Sequence, residues 1–388
     1  MRGAKQHHPS RWSTVIGRNK QRWAVSTACY RKSDLSITHF DAIIGPILIG
    51  FRRIVANNTI FPPLVTALLL FLNSCSPFIA LSLNSSGRLV ELLPIDVDRR
   101  DPERKEFGSL VLMSAFQLSS RDSRFGGLSG LSIGTDGRLY AVTDRGDWVS
   151  ARTELDSDGR LLDLIEWQIE PVLTPEGTPV SGLFTDAEAL SRAPDGSFIV
   201  AFEQVHRVWR YPPPPATLRS PPVSIAVPSE IAKAPNNGGL EGIAILRDGR
   251  LLALTEEFQN ADGSFKSWLI ENGRFGELSY LPSDGFRVTD CAALSSGDVI
   301  VLERRYPVLG NWAARLKLVA AGSVRAGAML VGKEILRLDP PVAVDNFEGV
   351  AVHEDPIRGP MIYLISDDNF HPLQRTLLFQ FRLPRSGK

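Results

Sequence analysis

Residues 239–256 have the sequence GLEGIAILRDGRLLALTE. The stretch contains an acidic residue, a small residue, an apolar run, an Asp-Gly pair, a second apolar run and a closing acidic residue. Two short β-prone runs joined at Asp-Gly are a strong local signal for an antiparallel hairpin. The stretch therefore predicts two paired strands with an acidic side chain near each outer end.

The same pattern occurs four more times along the chain, at residues 129–144, 186–203, 290–303 and 346–367. The anchor positions 129, 188, 241, 290 and 348 are 59, 53, 49 and 58 residues apart. A shared internal pattern with variable outer spacing is typical of a structural repeat with loops of different length. A step near ~50 residues fits a four-stranded propeller blade. We therefore predict an all-β protein with a β-propeller domain.

The predicted propeller covers residues 88–383, which is about six units of ~50 residues. Six blades are the expected number, with five or seven as alternatives. Apolar runs at residues 89–95 and 110–118 precede the first copy, and another at 376–383 ends the domain. Pairing the N-terminal and C-terminal strands in one blade would close the ring and remove exposed sheet edges.

The first eighty residues do not carry the repeat. Residues 1–53 are basic and show no sustained period, which predicts a disordered segment or a start codon assigned too early. Residues 54–80 follow two arginines and contain the apolar run 64–72, as in a secretory signal. The run is short for a membrane-spanning helix, which needs ~20 apolar residues.

The sequence allows two ways of processing this signal. Residues 72–75 (LNSC) resemble a lipobox, which would make Cys75 a lipid anchor, and ordinary cleavage between residues 76 and 82 is the alternative. We therefore expect a periplasmic or secreted protein, or a membrane-anchored lipoprotein. A formal net charge of zero gives no electrostatic case for nucleic acid as a partner. Membrane contact is expected only through the anchor.

The opening acids of the repeat are the predicted site. In a propeller the innermost strands border the central channel, so Glu188, Glu241, Asp290 and Glu348 are expected to converge on the axis, with Ser129 breaking the series. Carboxylates that face one another repel and are costly to desolvate, so they need neutralisation. Oxygen donors without Cys or His favour Ca²⁺ or Mg²⁺. These four acids are the predicted metal ligands, and Ca²⁺ is the predicted cofactor.

The closing acids of the repeat are predicted to form a second ring of carboxylates, or second tier, at the channel. The alternative role for both sets of acids is structural: they would accept hydrogen bonds from backbone amides and hold the blades together. The second tier consists of Asp144, Glu203, Glu256, Glu303 and Asp367. Arginines just beyond the closing strands or in the final motif are predicted to bind an anionic substrate, because the guanidinium fork matches phosphate and carboxylate oxygens. They are Arg145, Arg304, Arg305 and Arg375.

Candidate catalytic residues are Glu188, Glu241 and His206, the last because a histidine is suited to act as a base near neutral pH. The one Gly-x-Ser-x-Gly match, residues 130–134 (GLSIG), lies inside a repeat copy that predicts two short strands and not a strand followed by a helix, which argues against a serine hydrolase of the α/β type.

Several stretches resemble the bacterial family called "esterase-like activity of phytase", and the resemblance covers roughly residues 88–383. The stretches are 125–131 (FGGLSGL), 186–190 (DAEAL), 238–244 (GGLEGIA), 345–351 (DNFEGVA), 364–370 (LISDDNF) and 374–378 (QRTLL). The resemblance implies an exported β-propeller that is a phytase-like hydrolase. It does not assign individual catalytic residues.

Together these features predict an exported hydrolase that acts on a small phosphoester or carboxylic ester with the help of Ca²⁺ in the channel. Two alternatives remain at this point. One is a propeller enzyme of the sugar-lactonase type, which also uses a metal in an acidic channel. The other is a non-catalytic propeller that binds a ligand or scaffolds a complex of the cell envelope.

Overall fold

A computed structural model describes residues 88–306 and 312–385, and these described residues belong to one compact unit. The predictions for residues 1–53 and 54–80, including Cys75, lie outside the described residues. The described residues contain no helix whose length and hydropathy would let it span a bilayer. Three short 3-10 helices lie in loops, at Gly182–Phe184, Ser229–Lys233 and Ala321–Ser323.

The rest of the described structure is built from β-strands. In chain order they are β1 (Val90–Pro94), β2 (Glu106–Phe107), β3 (Leu110–Ser120), β4 (Leu128–Ile133), β5 (Arg138–Thr143), β6 (Asp147–Leu155), β7 (Leu161–Pro171), β8 (Ala187–Arg192), β9 (Phe198–Phe202), β10 (Arg207–Tyr211), β11 (Val223–Ile225), β12 (Leu240–Ile245), β13 (Leu251–Gln259), β14 (Phe265–Glu271), β15 (Arg274–Tyr280), β16 (Arg287–Ala293), β17 (Val299–Arg305), β18 (Ala313–Val319), β19 (Met329–Leu330), β20 (Lys333–Leu338), β21 (Asn346–Asp355), β22 (Gly359–Asp367) and β23 (Thr376–Arg382).

These strands form five sheets, and each copy of the repeat supplies the first two strands of one sheet. Blade 1 has the order β4-β5-β6-β7, blade 2 the order β8-β9-β10-β11, and blade 3 the order β12-β13-β14-β15-β19. Blade 4 has the order β16-β17-β18-β20, and blade 5 the order β21-β22-β23-β3-β1, with β2 also paired to β3. Apart from the parallel β15–β19 pair, neighbouring strands are antiparallel.

The five blades are arranged in a ring around their first strands. Each of β4, β8, β12, β16 and β21 contacts the first strand of the next blade, and β21 contacts β4 again. Five separate clusters of buried apolar side chains fill the five junctions between neighbouring blades. In the junction between blades 2 and 3, for example, Ala201 packs with Ile243 and Trp268. The first strands therefore surround a common axis, as in a β-propeller.

The structure has five blades in its described part, not the six that the repeat length predicted. The reason is the use of the strands before the first repeat copy. Strand β3 pairs with β23, with Leu118 opposite Thr376, and β1 pairs with the other edge of β3. These strands complete the blade of the fifth copy, so they do not form a sixth sheet of their own.

The predicted hairpin turns are present. In blades 2 and 3 the glycines of the Asp-Gly pairs, Gly196 and Gly249, have φ angles of +85° and +86°. Side chains with a Cβ rarely adopt this conformation, which is why glycine follows aspartate there. Cys291 is buried and forms no disulfide within the described residues.

Candidate functional site

The opening acid of the repeat lies on a β-bulge of the first strand. In blade 3 the pairing of β12 with β13 jumps between Leu240 and Gly242, so Glu241 has no partner in the ladder. The same shift leaves out Glu188 in blade 2 and Glu348 in blade 5. A bulge inserts one residue and changes the direction of a side chain. In these three blades it accompanies an acid that lines the central cavity.

The small residue after the acid has a steric reason. The first strands pass close to one another near the axis, and a Cβ on Gly349 would clash with the carbonyl oxygen of Ser129 on the neighbouring strand. A Cβ on Gly242 would come within 3.2 Å of the backbone of Asp290. The acid and the small residue of the motif therefore have a common origin. At this point of the inner strand the acid lines the cavity, and the residue after it must be small because the next inner strand is so close.

The prediction that Asp290 joins the ring of acids is wrong. In blade 4 the residue at the bulge is Thr289, and Asp290 occupies the next position, where the other blades have a small residue. Its carboxylate accepts hydrogen bonds from the backbone N–H groups of Val350 (2.7 Å) and Cys291 (2.8 Å). Asp290 is fully buried in the ring wall and does not line the cavity. It holds blade 4 to blade 5, which is the structural alternative for these acids.

The cavity at one end of the axis has a volume of about 720 Å³. Its described wall is strongly acidic, with nine carboxylates and two arginines. The acids are Asp144, Asp186, Glu188, Glu203, Glu241, Glu256, Glu257, Glu348 and Asp367, and the arginines are Arg287 and Arg304. The remaining wall includes Tyr306, Trp312, His371 and several amide side chains.

Arg304 neutralises one side of this wall. It lies near the end of β17, the second strand of blade 4, and its guanidinium donates to Glu348, to Asn346 and, over 3.3 Å, to Glu256. Burial alone would lower the pKa of Arg304, but Glu348 and Glu256 raise it above its ordinary value. Arg304 is thus a permanent internal cation, already committed to two glutamates.

The other side of the wall has acids without a basic partner among the described residues. Carboxylate oxygens of Asp186, Glu188 and Glu203 all lie within 4.8 Å of one another. Glu203 is fixed in place by the backbone N–H groups of Gly238 (2.8 Å) and Gly239. Burial raises the pKa of Glu188, and the neighbouring Glu348 and Asp186 raise it further. Three hard oxygen donors this close together match what Ca²⁺ or Mg²⁺ requires of a protein site.

Two further acids lie on the blade 1 and blade 5 side. Burial raises the pKa of Asp144 to about 7, with Asp186 adding to the effect. Burial likewise raises the pKa of Asp367 to about 9, with Glu348 adding to it. The Oδ1 atom of Asp144 and the Oγ atom of Ser129 are buried and have no hydrogen-bond partner in the part of the chain that the structure describes.

The predicted closing tier is only partly at the cavity. Asp144, Glu203, Glu256 and Asp367 line it, whereas Glu303 does not. Glu303 is completely buried inside blade 4, where Arg315 and the hydroxyl of Tyr280 (2.9 Å) donate to it and Lys317 lies 3.4 Å away. It belongs to a structural ion cluster.

Of the arginines predicted to bind substrate, only Arg304 lines the cavity. The others pack against neighbouring side chains: Arg145 on the ring of Phe370 (3.2 Å to its centre), Arg305 on the ring of Phe286 (4.9 Å) and Arg375 on the carboxylate of Asp345 (3.1 Å). A long side chain after a strand has several neighbours within reach, so sequence position alone does not decide its direction.

The catalytic candidates also separate. Glu188 and Glu241 are at the cavity, but His206 does not line it and its Nε2 lies 3.0 Å from the carbonyl oxygen of Pro235. Asp186, which sequence analysis did not select, joins the cavity wall. Asp186 lies two residues before Glu188, at the beginning of an inner strand. Residues i and i+2 of an extended chain point to the same side, so this spacing could have predicted that both carboxylates face the cavity.

Comparison with known families gives a clear result for the chain. The family described as "Phytase-like: Esterase-like activity of phytase" matches residues 123–370. The chain belongs to this family. The match covers all five inner strands, from β4 to β21, and every acid of the cavity wall.

Comparison with curated protein sequences yields no match. Solved structures with some similarity include the PQQ-bound aldose sugar dehydrogenase of Streptomyces coelicolor, with 13% identity over 66% of this chain and 95% of that chain and a TM-score of 0.39. A catalytically inactive virginiamycin B lyase of Staphylococcus aureus has 10% identity over 76% and 99% of the two chains and a TM-score of 0.36. The α-L-arabinofuranosidase of Podospora anserina has 10% identity over 69% and 94% and a TM-score of 0.44.

Proposed function

We propose that the protein is a hydrolase that cleaves a phosphoester or a carboxylic ester in the acidic cavity with the help of a divalent cation, Ca²⁺ in the first place. The observation that carries the proposal is the group of Asp186, Glu188 and Glu203, whose carboxylates lie within 4.8 Å of one another without a basic partner in the described structure. This set replaces the ligand set expected from the sequence. Membership of the phytase-like family supports the reaction class.

The charge of the cavity supports a role for a cation. Nine carboxylates face two arginines, and both arginines are paired, Arg287 with Glu257 and Arg304 with Glu348. A phosphate group would be repelled by such a wall unless positive charge were added. A bound Ca²⁺ would polarise the ester and favour deprotonation of water. Turnover of a phosphoester is therefore expected to depend more strongly on the cation than turnover of an uncharged carboxylic ester.

The proton transfers of hydrolysis have a candidate in the wall. Asp144 has a pKa of about 7, so its carboxyl exists in both protonation states near neutral pH. Its Oδ1 has no partner among the described residues. A carboxyl with these properties is suited to take a proton from the attacking water and to return it to the leaving alcohol.

The test is turnover by the purified protein after removal of metal with EDTA, before and after addition of CaCl2. The substrates are phytate, p-nitrophenyl phosphate, short p-nitrophenyl acyl esters and a sugar lactone. Glu188→Gln is expected to lower calcium-dependent turnover at least ~100-fold, as loss of a transition-state interaction does. Glu176→Gln, a change at an exposed acid far from the cavity wall, is the matched control. Absence of calcium-dependent turnover on every ester and phosphoester would refute the proposal, and turnover confined to the lactone would favour the lactonase class.

We propose further that the protein acts outside the cytoplasm, after export directed by residues 54–80, on a small anionic substrate. The N-terminal residue of the mature protein, read by mass spectrometry, tests this. A mature chain that begins at a lipid-modified Cys75 would identify a membrane-anchored lipoprotein. A chain that begins between residues 76 and 82 would identify ordinary cleavage, and an uncleaved N-terminus would refute export by this signal.

A further inference from the structure

Ser129 stands where three other blades have a glutamate. It lies at the bulge of β4, the position that Glu188, Glu241 and Glu348 occupy in their blades. Ser129 lines the cavity, is only 1% exposed, and its Oγ has no hydrogen-bond partner in the described structure. An unpaired buried hydroxyl is unfavourable, so its presence in the wall of a polar cavity points to a ligand.

The neighbours of Ser129 place that ligand on one side of the ring. Strand β4 contacts β8 and β21, so Ser129 lies between the strands that carry Glu188 and Glu348. Ser129, Glu188 and Glu348 line the same cavity. Glu348 is held by Arg304, whereas Glu188 is held by no base among the described residues.

We propose that the Oγ atom of Ser129 is a neutral ligand of the divalent cation bound by Asp186, Glu188 and Glu203. The cation then lies on the side of blades 1 and 2, away from the centre of the acid ring. This inference deepens the function proposed above and depends on its cation. Ca²⁺ takes six to eight oxygen ligands, so three carboxylates leave positions open. A hydroxyl occupies one of these coordination positions without adding negative charge. This matters because the three carboxylates together already carry more negative charge than the ion carries positive charge.

Two other roles for Ser129 are less compatible with the geometry. A nucleophilic serine needs a base within hydrogen-bonding distance of its hydroxyl, and Oγ has no such partner in the described residues. A structural serine would bond to the protein, as Thr289 does at the equivalent bulge of blade 4, where Oγ1 donates to the carbonyl oxygen of Phe347 (3.1 Å). Thr289 therefore supplies the matched control.

The experiment measures Ca²⁺ binding by titration calorimetry on the whole protein after removal of metal with EDTA. Ser129→Ala is expected to weaken Ca²⁺ binding roughly tenfold, as loss of one neutral ligand does. Thr289→Ser, which keeps the hydroxyl outside the cavity, is expected to leave the affinity unchanged. Ser129→Cys is expected to weaken Ca²⁺ binding and to strengthen Cd²⁺ binding relative to the wild type, because a thiolate is a soft ligand. A merely structural serine would not produce this exchange of metal preference.

Thermal unfolding gives a second readout that does not depend on activity. In EDTA, Ser129→Ala is expected to unfold at the same temperature as the wild type or higher, because the change removes an unpaired buried hydroxyl. With CaCl2 the order is expected to reverse, because the wild type binds the ion more tightly. A Ser129→Ala protein that is less stable in EDTA and equally stabilised by Ca²⁺ would overturn the assignment.

The possible failures can be told apart. Equal Ca²⁺ affinity of the wild type and Ser129→Ala, with loss of affinity in Glu188→Gln, would overturn the role of Ser129 and leave the proposed function intact. A wild type that binds no Ca²⁺ would overturn both. Binding that depends on Ser129 without turnover of any ester would support the ligand role and refute the hydrolase. Covalent labelling of Ser129 by a fluorophosphonate would assign it as a nucleophile and overturn the ligand role.

Discussion

The stability of the cation-free protein is expected to fall as the pH rises from about 5 to about 8. Asp144 carries this prediction, because burial and the neighbouring Asp186 raise its pKa from the ordinary value of 3.8 to about 7. The folded protein therefore binds this proton more tightly than the unfolded chain does. The resulting stabilisation is complete below pH 3.8 and is lost as the pH rises through about 7. Glu203, whose burial raises its pKa to about 7, acts in the same direction.

The size of the effect follows from the two pKa values of Asp144. A difference of about three pKa units, at about 1.4 kcal/mol each, corresponds to about 4 kcal/mol of unfolding free energy over the whole titration, of which about 3 kcal/mol is lost between pH 5 and pH 8. This is a large part of the ~5–15 kcal/mol that separates folded and unfolded domains. A divalent cation supplies the missing positive charge, so CaCl2 is expected to restore most of the stability at the higher pH and to have little effect at the lower one.

Urea unfolding followed by tryptophan fluorescence measures this free energy at each pH, in EDTA and in CaCl2. Asp144→Asn cannot ionise and is expected to reduce the dependence on pH in EDTA. Asp158→Asn, at an exposed acid on the same blade, is expected to keep the dependence of the wild type. Stability in EDTA that stays constant or increases over this range, or an Asp144→Asn protein with the slope of the wild type, would show that buried acids do not control the stability of the cavity.

Three further changes test the packing and charge of the ring by urea unfolding. Arg304→Met leaves two buried glutamates unpaired and is expected to lower the free energy of unfolding by about 3–5 kcal/mol, and by less at low pH, where the glutamates are protonated. A decrease below ~1 kcal/mol would contradict the internal ion pair. Gly349→Ala places a Cβ against the neighbouring inner strand and is expected to cost about 2 kcal/mol, whereas Gly322→Ala, which has open space, should change stability by less than ~1 kcal/mol. Asp290→Asn replaces one of two oxygens that accept hydrogen bonds from backbone N–H groups, so it is expected to lower the free energy of unfolding by about 1–3 kcal/mol without changing the Ca²⁺ affinity in calorimetry. A weaker Ca²⁺ affinity would show that Asp290 contributes to the cation site.

The repeat made most of the fold predictable. Each copy specified two strands and their turn, and glycines such as Gly249 marked where the chain reverses. The number of blades was not predictable from length, because loop and strand lengths differ between blades. Blade 5 also takes β1, β2 and β3 from the beginning of the domain. The terminal strands were expected to share a blade, but a local pattern does not show whether they build a sixth blade or complete the blade of the fifth copy.

Among the opening acids, the site was predictable only where residue type and bulge register agreed. Glu188, Glu241 and Glu348 satisfy both conditions, and all three line the cavity. Asp290 has the right residue type but lies one position beyond the bulge at Thr289. Because successive side chains of a strand point to opposite sides, one position is enough to move a carboxylate from the cavity into the wall.

Blade 4 explains why a ring of similar repeats yields a one-sided site. Its bulge carries Thr289 in place of an acid, and its closing acid Glu303 is committed to Arg315 inside the blade. Blade 4 instead places Arg287 and Arg304, the two arginines of the described wall, at the cavity. In a ring of five, the blades opposite to blade 4 are blades 1 and 2, which carry Ser129 and the acid group around Glu188. Blade 4 thus supplies the positive charge that neutralises its own side of the wall. The excess negative charge lies on the far side, where protonation of the acids or a bound cation would have to balance it.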